Sequence, residues 1–134
     1  MGKSLHLPMI AKWYGMIESL QKPHEYRSIT PYWISRLVKK EYVDMIKAEC
    51  SVSWRFAKLH ISSRIELAGY IELLLIKYGD YIFKEFDYID FSYGYTKRHM
   101  VWTHEGFDIR EGNPEWGAKQ GEPCFIIMLG RRVK

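Results

Sequence analysis

Apolar residues recur at helical spacing through much of the first two-thirds of the chain, whereas the last third is made of short runs of alternating residues. Over residues 41–78, apolar positions separated by steps of three and four predict helix. This stripe comprises Trp54, Ala57, Ile61, Ile65, Ala68, Ile71, Leu75 and Tyr78. The stretch 63–66 has the form of a capping box, so the stripe is either one helix or two helices that meet there.

The first forty residues predict a strand, a helix, a second extended segment and a further helix. Residues 4–7 form the first strand, and Pro8 opens a helix that reaches about Leu20. Residues 24–29 are extended, and Pro31 restarts a helical pattern that continues through the basic residues at 39 and 40.

The last fifty residues alternate short strands with glycine-rich turns. The predicted strands are 88–93, 100–103, 107–109 and 124–129. Short strands preceded by helices are typical of an α+β domain, here a small β-barrel with flanking helices.

Composition fits one globular domain that spans residues 1–134 and is 47% apolar and 27% charged. No apolar run approaches the roughly 20 residues of a membrane span, so we expect a cytoplasmic protein with no membrane partner. The net charge of +4 permits an anionic partner. Residues 1–67 carry a net charge of +5 and residues 68–134 a net charge of −1, so the first half should dominate the positive field.

The sequence offers little for metal, redox or serine-nucleophile chemistry. Cys50 and Cys124 lie far apart without CxxC spacing, and the five histidines show no ligand spacing. Neither a P-loop, nor a dinucleotide-binding glycine pattern, nor a GxSxG elbow occurs. We therefore expect no metal and no cofactor.

One stretch combines both signs of charge near the end of the first helix. Glu25 and Arg27 share one face of the predicted strand, and Lys22 lies just before it. Two cations there would bind phosphate, while the carboxylate accepts a proton from a base or a ribose. The alternative interpretation is a solvated surface cluster.

Two other stretches are candidates for nucleic-acid contact. Trp116 lies in the glycine-rich loop 112–118, and its ring either stacks on a base or plugs the end of the barrel. Segment 31–40 interleaves aromatic and basic residues, among them Lys39 and Lys40. It either follows a nucleic-acid backbone or forms an amphipathic helix with its charged side in water.

Read together, these stretches resemble the ASCH domain family, whose fold is a PUA-like β-barrel. Lys22, Glu25 and Arg27 fall on the K, E and R of the family signature GxKxxExR, and Leu20 stands at its glycine. The loop 112–118 and the closing run of apolar residues also resemble the family, in particular its members from phages and mobile elements. The helical residues at about 41–83 then form an insertion in a PUA-like small β-barrel with flanking helices.

The resemblance implies an RNA- or nucleotide-binding module whose cleft is lined by Lys22, Glu25 and Arg27, with Tyr26 and Trp116 as stacking partners. The first alternative is a metal-independent hydrolase, either a ribonuclease or an amidohydrolase of a modified nucleoside, with Lys22 and Glu25 as acid and base. Family members that deacylate N4-acetylcytidine use a signature Lys and Thr, and Glu25 stands at the Thr position. The second alternative is a phage interaction protein whose helical insert binds another protein.

Overall fold

The computed structural model describes residues 2–134, which form an α+β fold. Five strands and five α-helices follow one another in this part of the chain. In chain order they are β1 (Ser4–Met9), α1 (Ala11–Glu18), β2 (His24–Ser28), α2 (Pro31–Leu37), α3 (Lys40–Glu49), α4 (Ser51–Phe56), α5 (Ile61–Tyr78), β3 (Tyr88–Tyr93), β4 (His99–Glu111) and β5 (Pro123–Arg132). Short 3₁₀ turns follow α5 at Gly79–Ile82 and precede β5 at Pro114–Trp116.

The strands form one five-stranded mixed sheet in the order β1-β3-β4-β5-β2, curved into a half-barrel. Strand β1 runs parallel to β3, and the other three pairs are antiparallel. The α+β class is confirmed, and the half-barrel with β1 and β2 at its edges is compatible with the predicted small barrel. Edge strand β2 pairs with β5, placing Tyr26 opposite Ile126.

The strands predicted at 100–103 and 107–109 are parts of the single strand β4. The pairing of β4 with β5 shifts register between Trp102 and His104 and again between His104 and Gly106. Gly106 has φ +123°, a backbone conformation that residues with a side chain rarely adopt. Gly106, which the sequence pattern assigned to a turn, therefore lies within β4 and bends this strand instead of ending it.

Pro8 does not open a helix, which corrects the prediction from sequence. It lies in β1 opposite Ser92, and the helix begins only at Ala11. Proline lacks the N–H that a central strand would need, but β1 is at the edge of the sheet, where proline is tolerated.

Residues 41–83 are mainly helical, as their periodicity predicts, but their apolar stripe is not one continuous buried face. The chain leaves helix between α4 and α5, so the two helices meet at residues 57–60 and not at the capping box. Within α5, the stripe residues Ile61 and Ile65 are each 46% exposed, whereas the stripe residues Ala68 and Ile71 are buried. The buried residues of α5 are Ser63, Leu67, Ala68, Ile71 and Leu74.

The helical segment and the sheet share one hydrophobic core. Ile46 of α3 and Leu67 and Ile71 of α5 are fully buried in the same cluster as Phe91 and Phe125 of the sheet. Val38 and Phe83, at the two ends of the segment, pair through an isolated antiparallel bridge. Within residues 2–134, no helix is long and apolar enough to cross a membrane.

Candidate functional site

The end of α1 turns the chain so that Lys22 points back into the protein. Leu20 has φ +68°, in the left-handed region that favours glycine. The backbone N–H groups of Gln21 and Lys22 both donate to the carbonyl oxygen of Met16, at 2.9 and 3.0 Å. This pattern closes the helix C-terminus in the way glycine usually does.

Lys22 is buried, with only 1% of its side chain exposed. Its Nζ lies 3.0 Å from Glu25 Oε1 and donates to the carbonyl oxygen of Trp116 at 2.6 Å. The Tyr26 ring lies 4.5 Å from the same nitrogen. Burial lowers the pKa of Lys22 below its usual range, although the Glu25 carboxylate acts in the opposite direction.

Glu25 joins the two cations, so Lys22, Glu25 and Arg27 form one charged cluster. Its Oε2 lies 3.1 Å from Arg27 Nη2, and its Oε1 also accepts from the backbone N–H of Tyr26 at 2.9 Å. The carboxylate is 4% exposed and the Arg27 side chain 20%. The predicted proximity of the three residues is present in the structure, but as a mostly buried network and not as a solvated surface patch.

Arg27 is the member of the charged cluster that reaches the surface. Its guanidinium stacks over the Trp33 ring at 5.0 Å, and Arg36 stacks over the same ring at 5.1 Å. Its Nη2 also donates to the carbonyl oxygen of Pro8 at 3.3 Å. Its Nε is buried and has no hydrogen-bond partner within residues 2–134. One donor of this fixed cation therefore lacks an acceptor within the described residues.

Tyr26 and Trp116, the predicted stacking partners, are both half-buried and contact other parts of the site. The Tyr26 hydroxyl accepts from the backbone N–H of Asn113 at 3.2 Å, and a Cβ added to Gly112 would lie 2.8 Å from its ring. Trp116 reaches the charged cluster through its carbonyl oxygen, while its ring packs edge-on to His24. Both residues fasten the loop 112–118 over the cluster. Glycine at position 112 permits that close approach.

A small cavity of about 50 Å³ lies beside the charged cluster. Its lining residues are Tyr26, Arg27, Ser28, Ala118, Lys119, Glu122 and Cys124. That space is of the order of one or two water molecules, so a base would enter only if the loop 112–121 moved. Burial raises the pKa of the Cys124 thiol to about 11, which keeps it protonated and unreactive at neutral pH.

Sequence reasoning missed a second buried ion pair at this cavity. Arg64 of α5 and Glu122 contact each other through two hydrogen bonds, at 2.8 and 3.2 Å. Arg64 also donates to the carbonyl oxygen of Ala57 at 2.8 Å. The pair links the helical insert to the start of β5. No sequence signal could have found it, because the two residues are 58 positions apart and share no motif.

The basic stretch 31–40 is not one helix. Helix α2 ends at Leu37, and Lys40 begins α3. The stretch is thereby divided: Arg36 faces the Trp33 and Tyr32 rings near the charged cluster, whereas Lys39 and Lys40 lie at the next helix start. In the described part of the chain, no group of three or more His, Cys, Asp or Glu side chains is placed to hold a metal ion.

No protein-family model matches the chain, and neither a curated protein nor a solved structure matches it. Function is therefore inferred from the geometry of the site alone.

Proposed function

We propose that the protein is a cytoplasmic RNA- or nucleotide-binding module of the ASCH type, with a PUA-like barrel, which binds its ligand at the charged cluster. The observation that carries this proposal is the environment of the Arg27 guanidinium. This group is oriented by Glu25 and Trp33, and its buried Nε has no acceptor in residues 2–134. A phosphate oxygen supplies the missing acceptor, because arginine forms charge-assisted hydrogen bonds with phosphate.

Two further features support the same site. Lys119 lines the small cavity together with Arg27, so a second cation is available to the phosphate. The left-handed backbone at Leu20 is what a glycine in the family signature would accommodate without strain. Entry of a base requires the loop 112–121 to open, which breaks the bond between Lys22 and the Trp116 carbonyl.

The test measures binding of a labelled single-stranded RNA to wild type and to Arg27→Gln, with fluorescence anisotropy as the readout at two salt concentrations. Arg27→Gln leaves Glu25 paired with Lys22, so the fold is retained, and affinity should fall by about tenfold with a weaker salt dependence. Arg98→Gln is the matched control, since Arg98 is an exposed arginine paired with Glu18. Equal RNA affinities for the two variants would overturn the proposal.

The geometry of the charged cluster also suits a hydrolase. Burial lowers the pKa of Lys22, and the Lys22 Nζ lies 3.0 Å from Glu25 Oε1. Such a pair suits proton transfer in a metal-independent ribonuclease or a nucleoside amidohydrolase. Product formation from the RNA or from N4-acetylcytidine, lost in Glu25→Gln at unchanged affinity, would favour this enzyme over a binding module.

A protein-interaction role of the helical insert is favoured by a different observation. Several apolar side chains of the insert are largely exposed: Val52, Leu59, Leu73 and Ile76, at 68%, 76%, 62% and 82%. If this surface is the functional one, Leu59→Ser/Ile76→Ser should reduce self- or partner association in sedimentation and leave RNA affinity unchanged.

A further inference from the structure

A second cavity, away from the charged cluster, is lined by aromatic side chains. It has a volume of about 360 Å³, within the range of about 300–1,000 Å³ typical of small-molecule sites. Phe83 and Phe107 are almost fully buried, whereas Phe86 and His104 are only partly buried. We call this cavity the aromatic pocket. It shares no lining residue with the cavity beside the charged cluster.

A groove rich in lysine continues from the aromatic pocket. It has a volume of about 480 Å³, and its lining residues are Lys3, Lys39, Lys40, Lys84 and Glu85. Lys84 and Glu85 line both cavities, so the two are contiguous. We call this surface the lysine groove. Lys39 and Lys40 belong to the basic stretch for which the sequence left nucleic-acid contact and a solvated helix face as alternatives.

Most of the lysines in the groove have no acidic partner. Lys40 pairs with Asp44 at 3.1 Å, but Lys3, Lys39 and Lys84 form no salt bridge within residues 2–134. Lys84 donates instead to the carbonyl oxygen of Ser35 at 2.8 Å. Burial lowers the pKa of Lys84, and the nearby cations Lys3 and Arg36 lower it further. Four lysines against the single carboxylate of Glu85 leave the groove with an excess of positive charge, which attracts an anion.

The lysines also approach the aromatic rings closely. Lys3 Nζ lies 5.1 Å from the Phe86 ring centroid, and Lys39 Nζ lies 3.4 Å from that of Tyr81. Tyr81 and Phe86 both line the aromatic pocket. A ligand with an aromatic end in the pocket would therefore place an attached anion within reach of the lysines.

The pocket itself offers acceptors to its ligand. Asp80, Glu85 and Glu105 are among its lining residues, and their carboxylates are hydrogen-bond acceptors. His104 is held in the wall of the pocket, where its Nδ1 donates to the Phe86 carbonyl oxygen at 3.1 Å. An aromatic ligand that carries N–H groups satisfies these acceptors, as an amino-bearing base does.

We propose that the aromatic pocket and the lysine groove form one nucleotide-binding site, in which the base lies against Phe86 and His104 and the phosphate is held by Lys3, Lys39 and Lys84. This site does not depend on the charged cluster, and it takes a base with an exocyclic amino group joined to a 5′-phosphate. Aromatic contact, N–H acceptors and cations are the three elements that such a ligand requires.

The experiment is isothermal titration calorimetry of the full chain with AMP, UMP, adenosine and inorganic phosphate as separate probes. AMP should bind more tightly than UMP, and adenosine and phosphate should each bind at least tenfold more weakly than AMP. Lys3→Ala/Lys39→Ala should weaken AMP binding by about tenfold or more. Lys58→Ala/Lys97→Ala is the matched control, because it removes the same charge from two exposed lysines that line neither cavity. Phe86→Leu should weaken AMP binding and leave phosphate binding unchanged.

Each other outcome has a definite meaning. Absence of AMP binding at millimolar concentration, or equal losses in the two double variants, would overturn the site. Phosphate binding as strong as AMP binding would leave an anion groove without a base pocket, which also contradicts the proposal. Loss of AMP binding in Arg27→Gln but not in Lys3→Ala/Lys39→Ala would place the nucleotide at the charged cluster, so that only the first proposed function would stand.

Discussion

The charged cluster and the lysine groove both collect positive charge, but they balance it differently. In the charged cluster, Lys22 and Arg27 share the buried carboxylate of Glu25. In the lysine groove, Lys3 and Lys39 face solvent and aromatic rings without an acidic partner in residues 2–134. Charges that are paired and buried contribute to folding, and removing one of them leaves another uncompensated. Unpaired charges at the surface add little to stability and remain available to a ligand. Experiments that remove one charge at a time test this contrast.

The largest expected effect is on the stability of the charged cluster. Glu25→Ala leaves Lys22 buried beside Arg27 with no carboxylate, and the free energy of unfolding should fall by about 3–5 kcal/mol. Lys39→Ala in the lysine groove should change it by less than about 0.5 kcal/mol. Urea denaturation followed by circular dichroism measures both values. Similar losses in the two variants would remove the distinction between the two regions.

A pH-dependent effect is expected at Cys124, which lines the cavity beside the charged cluster. Its pKa is raised from 9.0 to about 11 by burial, so folding favours the protonated thiol. This contribution to stability is fully present below pH 9 and is lost as pH rises through about 11, because the unfolded chain then ionises first. By this linkage, the loss is roughly 2 kcal/mol.

The measurement compares urea unfolding of wild type with that of Cys124→Ala from pH 8 to pH 11. Other titrating groups are common to both proteins, so the stability advantage of wild type should shrink with rising pH. A constant difference would show that the thiol ionises equally in both states and that the cavity beside the charged cluster is open to solvent.

The smallest expected effect is a gain in stability at the turn that directs Lys22 inward. Leu20 adopts φ +68° and is 74% exposed, so it carries backbone strain without a packing contribution. Leu20→Gly should relieve that strain and stabilise the fold by about 0.5–1 kcal/mol, after the entropy that glycine adds to the unfolded chain. Thermal unfolding measures the gain, with Ile10→Gly as an exposed control that should only destabilise.

Local sequence patterns predicted the charged cluster better than they predicted its surroundings. Glu25 and Arg27 lie on the same face of β2 because side chains alternate along a strand, and this rule holds without tertiary information. The contact of Lys22 with Trp116 was not predictable, because it uses a backbone carbonyl oxygen 94 residues away. Trp116 contacts the charged cluster through its carbonyl oxygen, and a stacking role of its ring stays a prediction.

The helical segment and the lysine groove show why other features could not be predicted from the sequence. The periodicity of 41–78 predicted helix correctly, yet the chain leaves helix at 57–60, where no strong helix-breaking residue marks the break. Lys3 lies before β1, Lys39 before α3 and Lys84 before β3. Only the assembled fold brings three such separate positions to one surface, and no local pattern contains that information.

The pairing of the sheet edges has a consequence for the order of folding during synthesis. Strand β1 pairs with β3 some 80 residues later, and Tyr26 of β2 pairs with Ile126. On the ribosome, the second residue of each pair emerges after most of the chain has been made. Strands β1 and β2 therefore remain unpaired, and prone to misassembly, until β3 and β5 have been synthesised. Strand β2 carries Glu25 and Arg27 and has β5 as its neighbour in the sheet, so a truncated chain that lacks β5 should not assemble the charged cluster.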